Sequence, residues 1–465
     1  MMINLSSRSI LSFFFNFESD GQQNFYHDFP NIDRSAGIGA IQMLSLPFIK
    51  SWNMHEIIFW IIIAILVFDF LFENYLEYLN TKRMGTRLPA ELKGIYDEEK
   101  YAKQQAYQKE NHRFGMISGT ISFLVILAMF AFYGFAFVDS IAWNVTSHAI
   151  LAALLFFGII MFASDLINIP FSVYDTFVIE EKYGFNKTTP KTFTLDQLKG
   201  WLLGAIIGGG LLALVIFIYQ KTQSMFWIYA WLVVAAFSIF MAMFYSNLIV
   251  PLFNKQTPLE EGELRTAIQQ FAEKVGFKLD NIFVINGSKR STKANAYFTG
   301  LGVKKRIVLY DTLIEEMETD EIVAVLAHEI GHYKKKHVTQ GLFISLLQTG
   351  IVLFIFSLLI DNPHLSKALG VDEPNFHIGL VAFGILYAPV SFVLGIFMNM
   401  LSRKNEYQAD AFAAENYKPE PLASALKKLS QKNLSNLTPH PLYVFFNYSH
   451  PPLLERLKHL QKFEK

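Results

Sequence analysis

Residues Thr319–His337 read TDEIVAVLAHEIGHYKKKH, and within them His328-Glu329-Ile330-Gly331-His332 carries the H-E-x-x-H pattern. On a helix, His328 and His332 sit one turn apart on the same face, so both imidazoles can reach one metal ion. Glu329 is rotated off that axis yet stays close enough to take a proton from an attacking water. Two imidazoles plus one carboxylate suit zinc and leave a fourth position open. The flanks agree with a helix: Thr319 is the expected N-cap, and Asp320 and Glu321 put negative charge at the positive end of the dipole. Lys334–Lys336 fall near the other end. Five-residue patterns with three fixed positions also arise by chance in long chains, so the rest of the sequence has to decide.

The chain has 465 residues, 52% hydrophobic, 15% aromatic and only 17% charged. That is too apolar for an ordinary soluble enzyme of this length. Net charge is zero, so nothing points to nucleic acid, and the absence of cysteine excludes disulfides and thiolate metal sites. The early apolar run Ile10–Phe17 is short and is followed by a long polar stretch, a poor signal peptide.

Seven stretches are apolar and long enough to cross a bilayer, near Ile57–Phe72, Gly115–Val138, Ala149–Ile169, Trp201–Tyr219, Phe226–Phe253, Val338–Ile360 and Ile378–Leu401. Gly204-x-x-x-Gly208 in the fourth permits close helix contact. The first loop, Thr81–Phe114, carries Lys82, Arg83, Arg87, Lys93, Lys100, Lys103, Lys109 and Arg113. The second, Asp139–His148, has no lysine or arginine, and the third, Pro170–Lys199, again holds several lysines. The fourth has only Lys221 and the sixth only Lys367. The positive-inside rule then puts the odd loops and the C-terminal tail in the cytoplasm and the N-terminus outside. The sequon at Asn144 would lie outside, its use depending on the host.

The expected organisation is an N-terminal polar segment (1–54), five spans with their loops (55–253), a protease loop (254–337), two further spans (338–401) and a C-terminal segment completing the metal site (402–465). The fifth loop and the tail share the cytoplasmic side and can form one small α+β domain at the membrane face. In the fifth loop, Glu260–Val275 reads as an amphipathic helix with Leu264, Ile268 and Phe271 on one side. Asn281–Ile285, Ala294–Phe298 and Arg306–Tyr310 read as strands, with turns at Asn286-Gly287 and Gly300–Gly302, so a small antiparallel meander is expected. An exposed strand beside a metal site can hold an extended peptide by adding it to the sheet edge. The same periodicity fits a purely structural hairpin.

A zinc hydrolase needs a third ligand. Just after the last span, RKNEYQADAF (Arg403–Phe412) is expected to be helical, with Glu406 and Asp410 one turn apart. One carboxylate on the metal and one orienting a ligand histidine is ordinary metal-site chemistry; a solvated acidic pair is the alternative. The oxyanion of peptide hydrolysis needs a donor, and the tail offers His450 and Arg456, with Pro451 and Pro452 fixing the backbone after His450. His337, beyond the metal face, is expected to be solvent-exposed beside the lysines.

These motifs resemble the CAAX prenyl protease type 1 family, the membrane zinc endopeptidases that process prenylated proteins. The resemblance covers most of the chain. It rests on Glu181–Asn186 with its KYGFN core, PLFNK (Pro251–Lys255), KANAYFTG (Lys293–Gly300), HEIGH (His328–His332), EYQAD (Glu406–Asp410) and SHPP (Ser449–Pro452). It implies a mainly α integral membrane protein, its seven helices forming a barrel around a water-filled chamber that the zinc domain closes at one end. It implies one Zn²⁺ per chain held by His328, His332 and Glu406, with Glu329 as general base and Asp410 as a second carboxylate with a proton-donor role. Asn295, Ala296 and Tyr297 become the substrate-pairing strand and His450 a transition-state donor; Arg456, from the reading of the tail itself, is a further candidate substrate contact. The implied partners are a peptide or prenylated protein substrate and the lipid bilayer. The membrane would be the endoplasmic reticulum in a eukaryote or the inner membrane in a bacterium. Some animal members carry a charged insertion before the metal helix, whereas here Glu315–Glu321 runs straight into it. Two other readings are a heat-shock-type membrane protease and a non-catalytic membrane scaffold. The long series of spans before the metal helix argues against the first, and intact Glu329 against the second.

Overall fold

The structure is a computed structural model describing residues 53–465, apart from 86–87, 89–91, 93, 279–281, 301–305 and 465. The run Ile10–Phe17, nearly all of the N-terminal segment, and the expected turn beyond Gly300 lie outside these residues. Among the described residues the chain is mainly helical, with one small sheet. Its helices include α1 (Met54–Lys82), α2 (Glu98–Ala131), α3 (Gly134–Val145), α4 (Ala149–Tyr174), α5 (Pro190–Leu203), α6 (Gly209–Thr222) and α7 (Phe226–Leu248). After the fifth loop begins come α8 (Glu263–Lys274), α9 (Thr319–Lys334), α10 (His337–Leu359), α11 (Phe376–Asn416), α12 (Pro419–Lys432), α13 (Pro441–Asn447) and α14 (Leu453–Leu460).

Six helical segments among the described residues are long and apolar enough to cross a membrane: Met54–Lys82, Glu98–Ala131, Ala149–Tyr183, Pro190–Phe253, His337–Leu359 and Phe376–Asn416. Their outer surfaces stay apolar, as in α10, where Phe343, Leu347, Ile351 and Leu358 are all exposed along one side. Such a surface is stable against lipid and not against water. The protein is a multi-pass membrane protein.

Local chemistry moves several expected boundaries. The second expected span ends early, because Tyr133 adopts a left-handed conformation (φ 54°) and the chain turns into α3. The segment Pro190–Phe253 is interrupted by a 3₁₀ turn at Gln223–Met225, with Gln223 at φ 46°, and α6 packs back against α7. The Gly204-x-x-x-Gly208 stretch does not make the close helix contact expected of it. It forms a π-helical turn, and a Cβ at either glycine would meet nothing within 4 Å. Without side chains to brace an α-helical turn, these glycines let the backbone widen.

The loops sort to two ends. At one end, the first and third loops and the tail share a core of Leu92, Tyr96, Tyr107, Ile179, Phe185, Leu434 and Leu457. There the Tyr96 hydroxyl donates to the Ser430 carbonyl (2.6 Å), and Lys293 of the fifth loop pairs with Glu180 (2.7 Å). At the other end, His377 meets Asp139 (2.6 Å) and the Tyr219 hydroxyl donates to Asp361 (2.5 Å). The first, third and fifth loops and the tail thus meet at one end, and Asp139, Tyr219, Asp361 and His377 lie at the other.

The sheet departs from the expected meander. Strands β1 (Gln256–Pro258), β2 (Ile282–Ile285), β3 (Ala296–Thr299) and β4 (Arg306–Tyr310) lie in the order β1-β2-β4-β3. The β2–β4 pair is parallel, Ile282 opposite Ile307, and only β1–β2 and β3–β4 are antiparallel. Burial explains the order: Ile307, Val308 and Leu309 of β4 are fully buried and take the centre, while partly exposed AYFT of β3 takes an edge.

Helix α9 is buried on nearly all sides, between α8, α12, α11 and the sheet core. Its N-cap is Glu318 rather than Thr319: the Glu318 side chain accepts from the N3 backbone, and the Glu321 carboxylate accepts from the Glu318 N–H (2.9 Å). Glu321 also binds Ser424 and Lys428 of α12, which ties that reciprocal cap into the fold. The approach of α9 to α11 is set by Gly331, where a Cβ would stand 3.1 Å from the Ala409 Cα and 3.2 Å from its carbonyl oxygen. A Gly331→Leu chain should therefore be destabilised by about 1–3 kcal/mol or more through overpacking. Its thermal unfolding in detergent should shift down and its metal content fall. A variant with both unchanged would show that this contact does not set the helix spacing.

Candidate metal centre

The close crossing of α9 and α11 brings His328, His332 and Glu406 together, with one ligand atom of each lying within 4.8 Å of the others. His328 Nε2 is 3.1 Å from His332 Nε2 and 3.4 Å from Glu406 Oε2, while His332 Nε2 is 3.3 Å from Glu406 Oε1. All three side chains are buried. Glu406 Oε2 is buried without a hydrogen-bond partner. An orphaned carboxylate oxygen is costly in a protein interior unless something else takes its charge. His328 Nε2 faces this oxygen and His332 Nε2 the other oxygen of the same carboxylate, so the donor set suits a divalent metal.

Asp410 lies one turn along α11 and is fully buried. Its Oδ1 is 2.8 Å from His328 Nδ1. With Nδ1–H donating there, the Nε2 lone pair of His328 is free for a metal. Burial by itself lowers the His328 pKa, but the hydrogen bonds to Asp410 and then Glu406 outweigh it and raise the pKa to about 9.

Arg456, on α14, is engaged behind the metal face. Its Nε and Nη2 donate to the two Asp410 oxygens at 2.9 and 2.5 Å, and Nη1 is 3.6 Å from Glu406 Oε2. Burial opposes its charge, yet the Asp410 and Glu406 carboxylates more than restore it and raise its pKa. His450 stands differently: its side chain is 61% exposed, with Nε2 3.3 Å from Glu406 Oε1 and Nδ1 3.0 Å from the Ser449 hydroxyl. Glu329 is partly exposed, unlike the buried ligands on its helix.

Strand β3 lies alongside, the Phe298 ring 5.7 Å from that of Tyr333, the residue after His332. The Tyr310 N–H donates to the Asn295 carbonyl (3.1 Å), so by antiparallel alternation the backbone groups of Ala296 and Phe298 turn to the free edge. The Ala296 N–H there meets the side-chain oxygen of Asn295 (2.8 Å), itself exposed. The Tyr297 hydroxyl lies 3.4 Å from Gln256 Nε2.

One expectation fails. His337 is not solvent-exposed but 2% accessible, with Nδ1 3.1 Å from His332 Nδ1 and Nε2 2.9 Å from Gln408 Oε1. Extending α9 straight through the lysines places this residue outside. In the structure Lys336 takes a left-handed conformation (φ 61°) and turns the chain back beneath His332. Nothing in the local sequence signals that turn, since neither glycine nor asparagine occupies it.

Known proteins resemble this chain along most of its length. Residues 77–255 match the family model described as CAAX prenyl protease N-terminal, five membrane helices, and residues 258–464 match Peptidase family M48. A CAAX prenyl protease 1 homolog of Arabidopsis thaliana is 37% identical over 415 residues, spanning 85% of this chain and 96% of that protein. CAAX prenyl protease 1 of Saccharomyces cerevisiae is 36% identical, spanning 84% and 92%. The crystal structure of S. mikatae Ste24p superposes with a TM-score of 0.83 at 36% identity, covering 88% of this chain and all of that one. With the buried His328–His332–Glu406 group, the membrane helices and these similarities along its length, the chain is a metalloendopeptidase belonging to the CAAX prenyl protease 1 group of peptidase family M48.

Proposed function

We propose that the protein is a membrane-embedded zinc endopeptidase that cleaves near the C-terminus of prenylated or otherwise hydrophobic peptides. The observation that carries this reading is the buried His328–His332–Glu406 group with its orphaned carboxylate oxygen, at the end of a multi-pass membrane protein. Relatives bearing the name CAAX prenyl protease support the substrate class. Seven crossings are proposed, with α5–α6 and α7 as separate spans, since 64 residues of helix would reach ~96 Å against a bilayer core of ~30 Å. In this reading the helices enclose a chamber, the five-part organisation stands, and the zinc-bearing end faces the cytoplasm, as its lysine and arginine content requires.

Bound zinc would supply a Lewis acid that polarises the scissile carbonyl and acidifies the attacking water. Glu329 takes the proton of that water and passes it to the leaving amine nitrogen. His450 is assigned the hydrogen bond to the developing oxyanion, because it is the exposed tail donor beside Glu406. Asp410 orients His328, and Arg456, already engaged with Asp410, clamps it rather than contacting substrate. The substrate backbone adds to the free edge of β3 along Asn295–Tyr297. Intact Glu329 favours an enzyme over a scaffold.

One zinc per purified chain is expected, with clear loss in His332→Ala and Glu406→Ala; full retention in both would remove them as ligands. Glu329→Gln should keep zinc and fold but lose ~10²–10⁴-fold in turnover of a farnesylated CAAX peptide. That peptide should be cut faster than an unprenylated control, and equal rates would remove prenyl recognition from the reading. A cysteine placed near Asn144 should label from outside and one near Lys103 only after permeabilisation; the reverse pattern inverts the orientation. Ala296→Pro removes one edge donor. It should bind zinc normally and fail on peptides, whereas wild-type cleavage would mean the peptide is held elsewhere.

A further inference from the structure

His328 and His332 are backed by unlike partners. Behind His328 stand Asp410 and Arg456, both charged; behind His332, among the described residues, stand His337 and Gln408. We propose that His337 and Gln408 form a one-directional hydrogen-bond relay that holds the His332 ring for metal binding. The proposal rests on the metal reading of His328, His332 and Glu406.

The direction of the relay follows from proton counting. His332 turns Nε2 toward His328 and Glu406, so Nε2 is the nitrogen available to a metal. A neutral imidazole that offers Nε2 carries its proton on Nδ1, which must then donate. Its neighbour at 3.1 Å is His337 Nδ1, which therefore accepts. His337 consequently carries its own proton on Nε2 and donates it to Gln408 Oε1 at 2.9 Å. A rotated Gln408 amide would present NH₂ to His337 Nε2 and force the His337 proton onto Nδ1, against the proton of His332. Metal binding at His332 thus fixes both tautomers and the amide orientation together.

His337 is not itself a fourth ligand for the same ion. It contacts the nitrogen of His332 opposite the one facing the metal group, so it stands behind that ring. Gln408 lies on α11 between Glu406 and Asp410, and His337 opens α10. The relay therefore fastens three helices around His332. It also does so without charge. Glu406, Asp410 and Arg456 together leave one negative charge beside the ion, and a carboxylate behind His332 would add a second. A neutral relay orients the ring while keeping the pull of the metal on its substrate strong.

The test uses the full chain in detergent, with zinc affinity measured by competition against a chromogenic chelator and thermal unfolding recorded on the metal-free form. His337→Phe should weaken zinc binding ~10–100-fold, the usual effect of removing such a support, with metal-free unfolding unchanged. His337→Asn should recover much of the affinity, because its amide oxygen can accept from His332 Nδ1. A merely structural histidine would show no such rescue. Gln408→Leu should weaken binding less but measurably, and it decides the matter if His337→Phe does not fold. Affinities within twofold of wild type for His337→Phe, or for Gln408→Leu in that case, would overturn the relay. A wild-type chain that binds no zinc would instead overturn the metal centre, and the relay with it.

Discussion

Everything at the metal centre depends on how closely α9 and α11 cross. Gly331 has no side chain, so the backbone at Ala409 can come to within van der Waals contact. That contact places the two histidines of one helix against Glu406 of the other. A helix pair spaced by ordinary side chains lies 8–10 Å apart, and extra distance at this crossing would take the carboxylate out of reach. Small residues do the same work along α11, where Ala409 and Ala413 are fully buried. The third position after the first histidine of the motif is thus a steric requirement of the site as well as a spacer.

The crossing gathers charge that burial alone would not tolerate. Glu406 and Asp410 are nearly inaccessible, and each is answered by histidine or by Arg456. Removing one partner from such a buried pair typically costs about 3–5 kcal/mol. Arg456 arrives on the last helix, and its neighbours Leu457 and Leu460 are buried against the first and fifth loops. The tail therefore acts as the closing piece of the centre. It fastens Asp410, Asp410 fastens His328, and His450 remains at the accessible side.

Legibility in the sequence followed the range of the forces involved. The apolar helices and α9 were readable because apolar run length and i, i+4 spacing are local. The nearness of Glu406 to the two histidines was legible because EYQAD continues the apolar helix α11 that crosses α9. The strand positions were readable too, but not their order: the parallel β2–β4 pair depends on which strand buries its residues most completely, which is a property of the assembled core. His337 was misplaced because its position hangs on one left-handed residue, Lys336, in a run of lysines that favours helix. Glu318 was passed over as a cap for Thr319 because its partner Glu321 is fixed from α12, far along the chain.

The most direct test of the account is anomalous diffraction from crystals of the metal-loaded protein at the zinc edge. One peak per chain is predicted in the crossing of α9 and α11, with His328 and His332 nitrogens and a Glu406 oxygen at ~2.0–2.2 Å. A peak elsewhere in the chain, or none between these three side chains in protein that hydrolyses peptides, would contradict it.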